Sequence, residues 1–310
     1  MNHAYRPMLA TLVKEPFDNK DWVFETKWDG FRLIAEKRGA HVVLWSRNGI
    51  NVTKKYPAVL SALKKIKHSC VLDGELCALD ARGRSRFQLL QNANSKNQHK
   101  KTTLLYVVFD LLFLDGDDLR KRPLLERKAL VRSILPRHKL LRYSAHVART
   151  GRRAFAKAKK RGEEGVMAKR AAGRYYSGKR TREWLKFKAV KEQEVVIVGY
   201  TAPRRTRKFF GSLVLAVRAG KTWSYVGHVG TGFDDLALRT IYSKLVKLRT
   251  TKKPLHDKVK FEPQTTWVRP VLVCEVKFTE WTHGGEMRHP VYLGLRTDKK
   301  AAAVVREIPK

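Results

Sequence analysis

A chain of 310 residues is long enough for one large domain or two ordinary ones. With 43% hydrophobic and 10% aromatic residues it can bury a proper core, which excludes a disordered tail or linker. Its charge is lopsided: 66 Lys and Arg against 28 Asp and Glu leave a formal net charge of +38. Self-repulsion on that scale opposes compaction, and a polyanionic partner relieves it, nucleic acid above all. No stretch reaches the length of a membrane span, and the opening MNHAYRPMLATLV lacks the apolar core of a secretory signal. Cys70, Cys77 and Cys274 are odd in number and form no CxxC pair. That argues against a disulfide framework and a thiolate zinc site, and fits a reducing, cytoplasmic setting.

Along the chain, FRLIAEKRGAHVVLWSR (residues 31–47) reads as two strands around a turn at Gly39. CVLDGELCALD (70–80) and LLYVVFDLLFLDG (104–116) are apolar or period-two runs ending in Asp/Gly turns. The polar run NANSKNQHKKTT (92–103) reads as an exposed loop. After Pro123 a helix is predicted that places Leu124, Leu125, Val131, Ile134 and Leu135 near one face. A very basic helix follows between Thr150 and Gly162. From EVVIVGY (194–200) onward the pattern changes to short strands with Gly turns, interrupted by one amphipathic helix. That helix carries Leu238, Ile241, Leu245 and Leu248 behind Asp234 and Asp235. Such a set of strands with one helix points to a small β-barrel of the OB type. Two domains are therefore expected, residues 1–190 and 191–310.

Lys27 lies in ETKWDGFR (25–32), enclosed in sequence by Trp22, Phe24, Trp28 and Phe31. Asp29-Gly30 is read as a tight turn that exposes the amine at a pocket mouth. A lysine is a nucleophile only when neutral, so its pKa must fall below the ordinary ~10.4, through desolvation or nearby cations. Arg32, Lys186 and Lys188 are candidates for those cations. Further motifs follow in order. They are SRNG (Ser46 to Gly49), LDGEL with Asp73 and Glu75, and YVVFD with Phe109 and Asp110. EEGVMAK then carries Glu164 and Lys169, WLKFK carries Lys186 and Lys188, and RTDK carries Arg296, Asp298 and Lys299. On a strand, Lys186 and Lys188 share a face, as do Asp73 and Glu75. Paired carboxylates suit Mg²⁺, which keeps phosphate and water among its ligands. No Walker A sequence is present, and GHVGTGF (227–233) does not fit a dinucleotide fingerprint, so phosphate binding must come from side-chain cations.

This ordered series resembles the covalent nucleotidyltransferases, a superfamily of ligases and capping enzymes. More narrowly, PMLATL, KWDGFR, FQLLQ, GHVGTGF, EWTHGGEMRHP and GLRTDK resemble the ligase module of bacterial DNA ligase D, from end to end of the chain. The resemblance implies an α+β fold: an adenylation domain of antiparallel sheets with flanking helices, then a C-terminal OB-fold barrel. It implies an ATP-dependent DNA ligase that seals 5′-phosphate/3′-hydroxyl nicks through a lysyl-AMP on Lys27, in repair or end joining. By the same resemblance Glu25 meets the adenine edge and Phe109 stacks on the base. Arg32, Arg47 and Arg180 contact sugar, phosphates or the nicked end, with Lys179 and Arg182 as neighbours that leave the register at Arg180 open. Lys186 and Lys188 meet the α-phosphate, Glu75 the ribose or metal, and Glu164 the metal, Mg²⁺ or Mn²⁺. Arg288, Arg296, Asp298 and Lys299 belong to the second domain and orient the pyrophosphate. The implied partners are nicked duplex DNA and a Ku-like end-binding protein, with the chain a monomer at the bacterial nucleoid. An RNA-capping guanylyltransferase or RNA ligase shares the motif series, and labelling by ATP rather than GTP separates the first of these. A non-catalytic DNA-binding protein would need every motif residue to be a relic.

Overall fold

The computed structural model describes residues 5–92, 103–189, 191–203, 207–257, 259–260 and 262–308. The polar run read as an exposed loop falls, for residues 93–102, outside the described residues. The chain divides into two compact units that meet between residues 189 and 190. Among the described residues no helix is long and apolar enough to cross a membrane.

The first unit opens with β1 (Leu9–Leu12), β2 (Asn19–Thr26), β3 (Gly30–Arg38), β4 (His41–Ser46) and α1 (Pro57–Lys64). It continues through β5 (Cys70–Leu79), α2 (Phe87–Asn92), β6 (Thr103–Leu114), β7 (Asp117–Asp118) and α3 (Leu124–Ile134). It closes with β8 (Leu141–Tyr143), β9 (His146–Arg149), α4 (Gly151–Arg161), β10 (Gly165–Arg170) and β11 (Arg180–Lys188). Two sheets result. One has the order β1-β11-β10-β2-β9, and the other β4-β3-β5-β6-β7 with β8 also on β6. Pairing is antiparallel except where β1 joins β11 and β8 joins β6.

Alternation along the strands decides what lies where. Ile34, Val71, Phe109 and Leu112 of the second sheet pack with Trp184 of the first, together with Met8 and Tyr175, so these faces look at each other. Trp22, Phe24, Val166, Ala168, Leu185 and Phe187 point the opposite way and bury under Ala158 of α4. The outer face of the second sheet carries Leu33, Ala35, Leu72 and Leu76 against α1 and α3.

The hairpin around Gly39 forms as its residues indicate, with Gly39 at φ 54°. So does the basic helix, whose left-handed C-cap is Gly162. In α3 the inner face differs from the sequence expectation. Leu125 is 41% exposed, while Arg127 and Lys128 join Leu124 and Val131 inside. Positions 124, 127, 128 and 131 follow the helical period, and Leu125 lies a hundred degrees round from Leu124. Two cations therefore occupy core positions because buried carboxylates await them, as the site below makes plain. Segment 27–29 is irregular, and Gly30 already begins β3 without a left-handed φ. Glycine is needed there because a Cβ would stand 2.1 Å from the Leu76 carbonyl oxygen of β5, not because of a tight turn.

The second unit comprises β12 (Lys191–Thr201), β13 (Leu213–Ala219), β14 (Thr222–Val229), α5 (Asp235–Val246), β15 (Thr265–Trp267), β16 (Val273–Phe278) and β17 (Val291–Leu295). Its sheet runs β14-β13-β12-β16-β17, and β12 is long enough to pair β16 along its first half and β15 along its second. Asp234 caps α5 by accepting from the Ala237 amide at 2.7 Å, and Leu238, Ile241 and Leu245 point inward.

Candidate active site

The pocket-facing side chains of the first sheet fall into transverse rows fixed by register. Glu25, Met167 and Lys186 form one row across β2, β10 and β11. Val23, Lys169 and Trp184 form the row behind it. In front, Lys27 donates its amide to the Gly165 carbonyl at 2.9 Å, and Gly165 pairs with Lys188. Neighbouring strands lie about 4.8 Å apart, so Lys27 and Lys188 flank a gap of roughly 10 Å over a residue with no side chain. Gly165 has φ 155°, and a Cβ there would sit 1.9 Å from the Phe187 carbonyl oxygen. On the facing sheet, Arg32, Glu75 and Val107 form a row, followed by Ile34, Asp73 and Asp110.

The Lys27 ammonium bonds the Glu164 carboxylate, although 137 residues separate them in sequence. Thus the cations read as neighbours of Lys27 are not its bonded partner here; a carboxylate is. Lys186 and Lys188 sit half-buried on the same strand face as expected. Arg32 turns its guanidinium to Asp73, with a bidentate pair whose second bond is 2.6 Å. The Tyr175 hydroxyl donates to the same carboxylate at 2.6 Å. Glu75, half-buried, and Glu164 act together on one neighbour. Burial pushes the Cys77 thiol well up, and Glu75, Asp29 and Glu164 push it further. Among the described residues no cluster of three or more His, Cys, Asp or Glu is placed to hold a metal ion. Two all-oxygen donors such as Glu75 and Glu164 still fit Mg²⁺ or Mn²⁺, which draws its other ligands from phosphate and water.

Glu25 is wholly buried between two lysines. Its carboxylate accepts from Lys128 Nζ at 2.8 Å and from the Ser144 hydroxyl at 2.7 Å, and Lys169 Nζ stands 3.1 Å away. Burial alone would raise the Glu25 carboxyl, but the two lysines outweigh it and hold it below the usual range. Burial draws the Lys169 ammonium down to about 8. Phe109 is 7% exposed, with Lys169 at 4.3 Å and Arg32 at 4.6 Å from its ring centroid. Asp110 is engaged in a fully buried bidentate pair with Arg127, at 2.7 and 2.9 Å.

Arg47 sits half-buried in the turn after β4, which the Ser46 hydroxyl and Gly49 close. Arg180 is exposed and donates to the Ala10 carbonyl of β1; Arg182, also exposed, follows on the same strand. Lys179 lies in the preceding turn, where its carbonyl accepts from Leu9. In the second unit Arg296 is held by Asp298 through two 2.8 Å bonds and by Glu275 at 2.8 Å. Lys299 pairs with Glu194 at 2.6 Å. Arg288 is exposed and pairs with Glu280 at 2.8 Å. Sequence reasoning passed over Lys128, Ser144 and Tyr175. Lys128 alone carried a signal: a lysine at a core position of an amphipathic helix.

Comparison with known proteins agrees with this geometry. The ATP dependent DNA ligase domain family matches residues 7–188, and the ATP dependent DNA ligase C terminal region matches residues 206–299. The multifunctional non-homologous end joining protein LigD of Pseudomonas aeruginosa is 39% identical over 312 residues, covering 98% of this chain and 36% of that protein. The DNA repair protein LigD of Mycobacterium tuberculosis is 36% identical over 306 residues, covering 97% of this chain and 40% of that protein. The chain thus spans about two fifths of the length of these relatives. A solved mycobacterial DNA ligase D complexed with ATP and MES superposes with a TM-score of 0.74 at 35% identity, over 99% of this chain and 100% of that one. A nucleotidyltransferase unit followed by an OB-fold unit, matched in sequence by both family regions and in structure along its whole length, places the chain among the ATP-dependent DNA ligases.

Proposed function

We propose that Lys27 carries AMP between ATP and the 5′-phosphate of a nick. The observation that supports this most is the Lys27–Glu164 bond at the open front of a pocket lined by Lys186, Lys188 and Glu75. Lys27 Nζ attacks the α-phosphorus, a P–N bond forms, and the P–O bond to pyrophosphate breaks. The ammonium proton departs by way of Glu164 Oε1, the atom it already bonds. Lys186 and Lys188 offset charge on the phosphoryl oxygens. Glu75 and Glu164 would hold Mg²⁺ or Mn²⁺, which supplies further charge neutralisation at the phosphate. Glu25 and Phe109 face the adenine, while Arg32, Arg47 and Arg180 serve sugar, phosphates and the nicked end. In the first step Arg288, Arg296 and Lys299 act on the leaving pyrophosphate, exchanging their carboxylate partners, Asp298 among them, for phosphate oxygens.

AMP then passes to the 5′-phosphate, the Lys27 amine leaves, and the 3′-hydroxyl displaces AMP to close the strand. Splitting one condensation into three displacements is what the covalent lysine achieves. The substrate is nicked duplex DNA and the setting end joining, inside the cell and at the nucleoid, with the chain acting as a monomer beside a Ku-like protein. Incubation with α-labelled ATP and Mg²⁺ is expected to leave an acid-labile label that Lys27→Ala abolishes. A label that survives Lys27→Ala, or that comes from GTP instead of ATP, overturns the assignment.

A further inference from the structure

Helix α4 is built in a way that its own energetics do not favour. Its apolar side, Phe155 and Ala158, packs under the first sheet, leaving Arg152, Arg153, Lys157, Lys159, Lys160 and Arg161 exposed. Arg153, Lys157 and Arg161 follow one another at i,i+4, where like charges repel. Arg152 and Arg153 stand in the first turn, at the positive end of the helix dipole, where the Thr150 side chain makes no cap bond and the Asp18 carboxylate accepts the Arg152 amide at 2.9 Å. Glu163 lies 3.7 Å from the Arg161 guanidinium.

The strip does not end with the helix. Gly162, its C-cap, lies against two guanidinium groups from the turn before α2; a Cβ there would be 3.4 Å from Arg84 Nη1 and 3.9 Å from Arg86 Nη2. Asp80 holds that turn in shape, accepting from the Arg84 side chain at 2.7 Å and from Arg86 at 3.4 Å. The same turn fixes the segment after Lys27. Ser85 accepts the Asp29 amide at 3.0 Å, and Asp29 accepts the Phe87 amide at 2.9 Å. Three residues past Arg161 comes Glu164, bonded to Lys27. A continuous cationic strip therefore runs from the edge of the nucleophile's loop along a helix about 16 Å long.

We propose that this face of α4, continued by Arg84 and Arg86, binds the phosphate backbone of the duplex flanking the nick. It rests on the reading of Lys27 as the AMP carrier, which fixes where the nick lies. Phosphates balance the exposed cations of this face, and each one neutralised releases counterions.

The test compares the intact protein with the triple variant Lys159→Ala, Lys160→Ala, Arg161→Ala, and with Arg86→Gln as an independent arm. A second triple, Lys54→Ala, Lys64→Ala, Lys65→Ala, removes the same charge from exposed positions around α1, under the other sheet. Adenylate formation from ATP without DNA is expected to be unchanged in all of them. The slope of log affinity for a nicked duplex against log salt should flatten by roughly 2–3 in the α4 triple and by about 1 in Arg86→Gln. The α1 triple should keep the parent slope. Equal slopes for the two triples overturn the proposal. Loss of adenylate formation in the parent protein strikes instead at the reading of Lys27.

Discussion

A carboxylate buried between two lysines ties the stability of the pocket to pH at both ends of the range. Glu25 titrates below its usual value, so its contribution is complete above about pH 4.5 and is lost as pH falls through the folded value. Lys169 acts in the same sense at the alkaline end: drawn down to about 8, it carries the cost of a buried ammonium below that pH, relieved as pH rises towards 10.5. Glu25→Gln leaves Lys128 and Lys169 buried without their carboxylate. It should destabilise the fold by about 3 kcal/mol at pH 7, the scale for breaking one side of a buried pair. Melting curves across pH 2–7 read it. The variant should lose the extra fall below pH 4.5 that the parent shows, and a parallel acid profile would refute the role given to Glu25.

Among the elements, β10 bears the tightest constraint. Gly165 in its first position must admit the Phe187 carbonyl, which a Cβ would meet at 1.9 Å. Gly165→Ala should therefore cost about 2–3 kcal/mol in denaturant unfolding and depress adenylate formation further, since Lys27 and Glu164 both hang from this point. Wild-type stability in that variant would show that the strands part without penalty. Elements set by neighbours in sequence were legible beforehand: the Gly39 hairpin, α4 ending at Gly162, and α5 behind Asp234. Strand alternation put Lys186 and Lys188 on one face of β11, as found, and the motif order is the ground for expecting Lys27, Glu75, Glu164, Lys186 and Lys188 to share one pocket. What escaped were partners set by tertiary packing. No local pattern brings Lys128 to Glu25 across 103 residues, or Asp110 to Arg127. Leu125 was assigned inward on hydrophobicity alone, whereas the helical period gave its place to charged residues with buried counterparts.

For the whole molecule, a net charge of +38 makes salt act on folding and on binding with opposite signs. Screening relieves self-repulsion, so the free protein should melt higher as sodium chloride rises from 50 to 200 mM. Over the same range affinity for a nicked duplex should fall by roughly 10³-fold or more if six or more phosphates are neutralised. Calorimetry and a titration series measure the two, and a flat binding response would assign the surplus to solvation. The hydroxyl of Tyr175 offers a quieter report on the same fold. It accepts the Met8 amide at 2.8 Å while donating to Asp73, the carboxylate that holds Arg32. The amide proton of Met8 thus reports on the interior: its exchange with deuterated solvent should quicken in Asp73→Asn, giving a backbone signal for the loosening of the Arg32 guanidinium, which itself donates to the Met8 carbonyl at 3.4 Å.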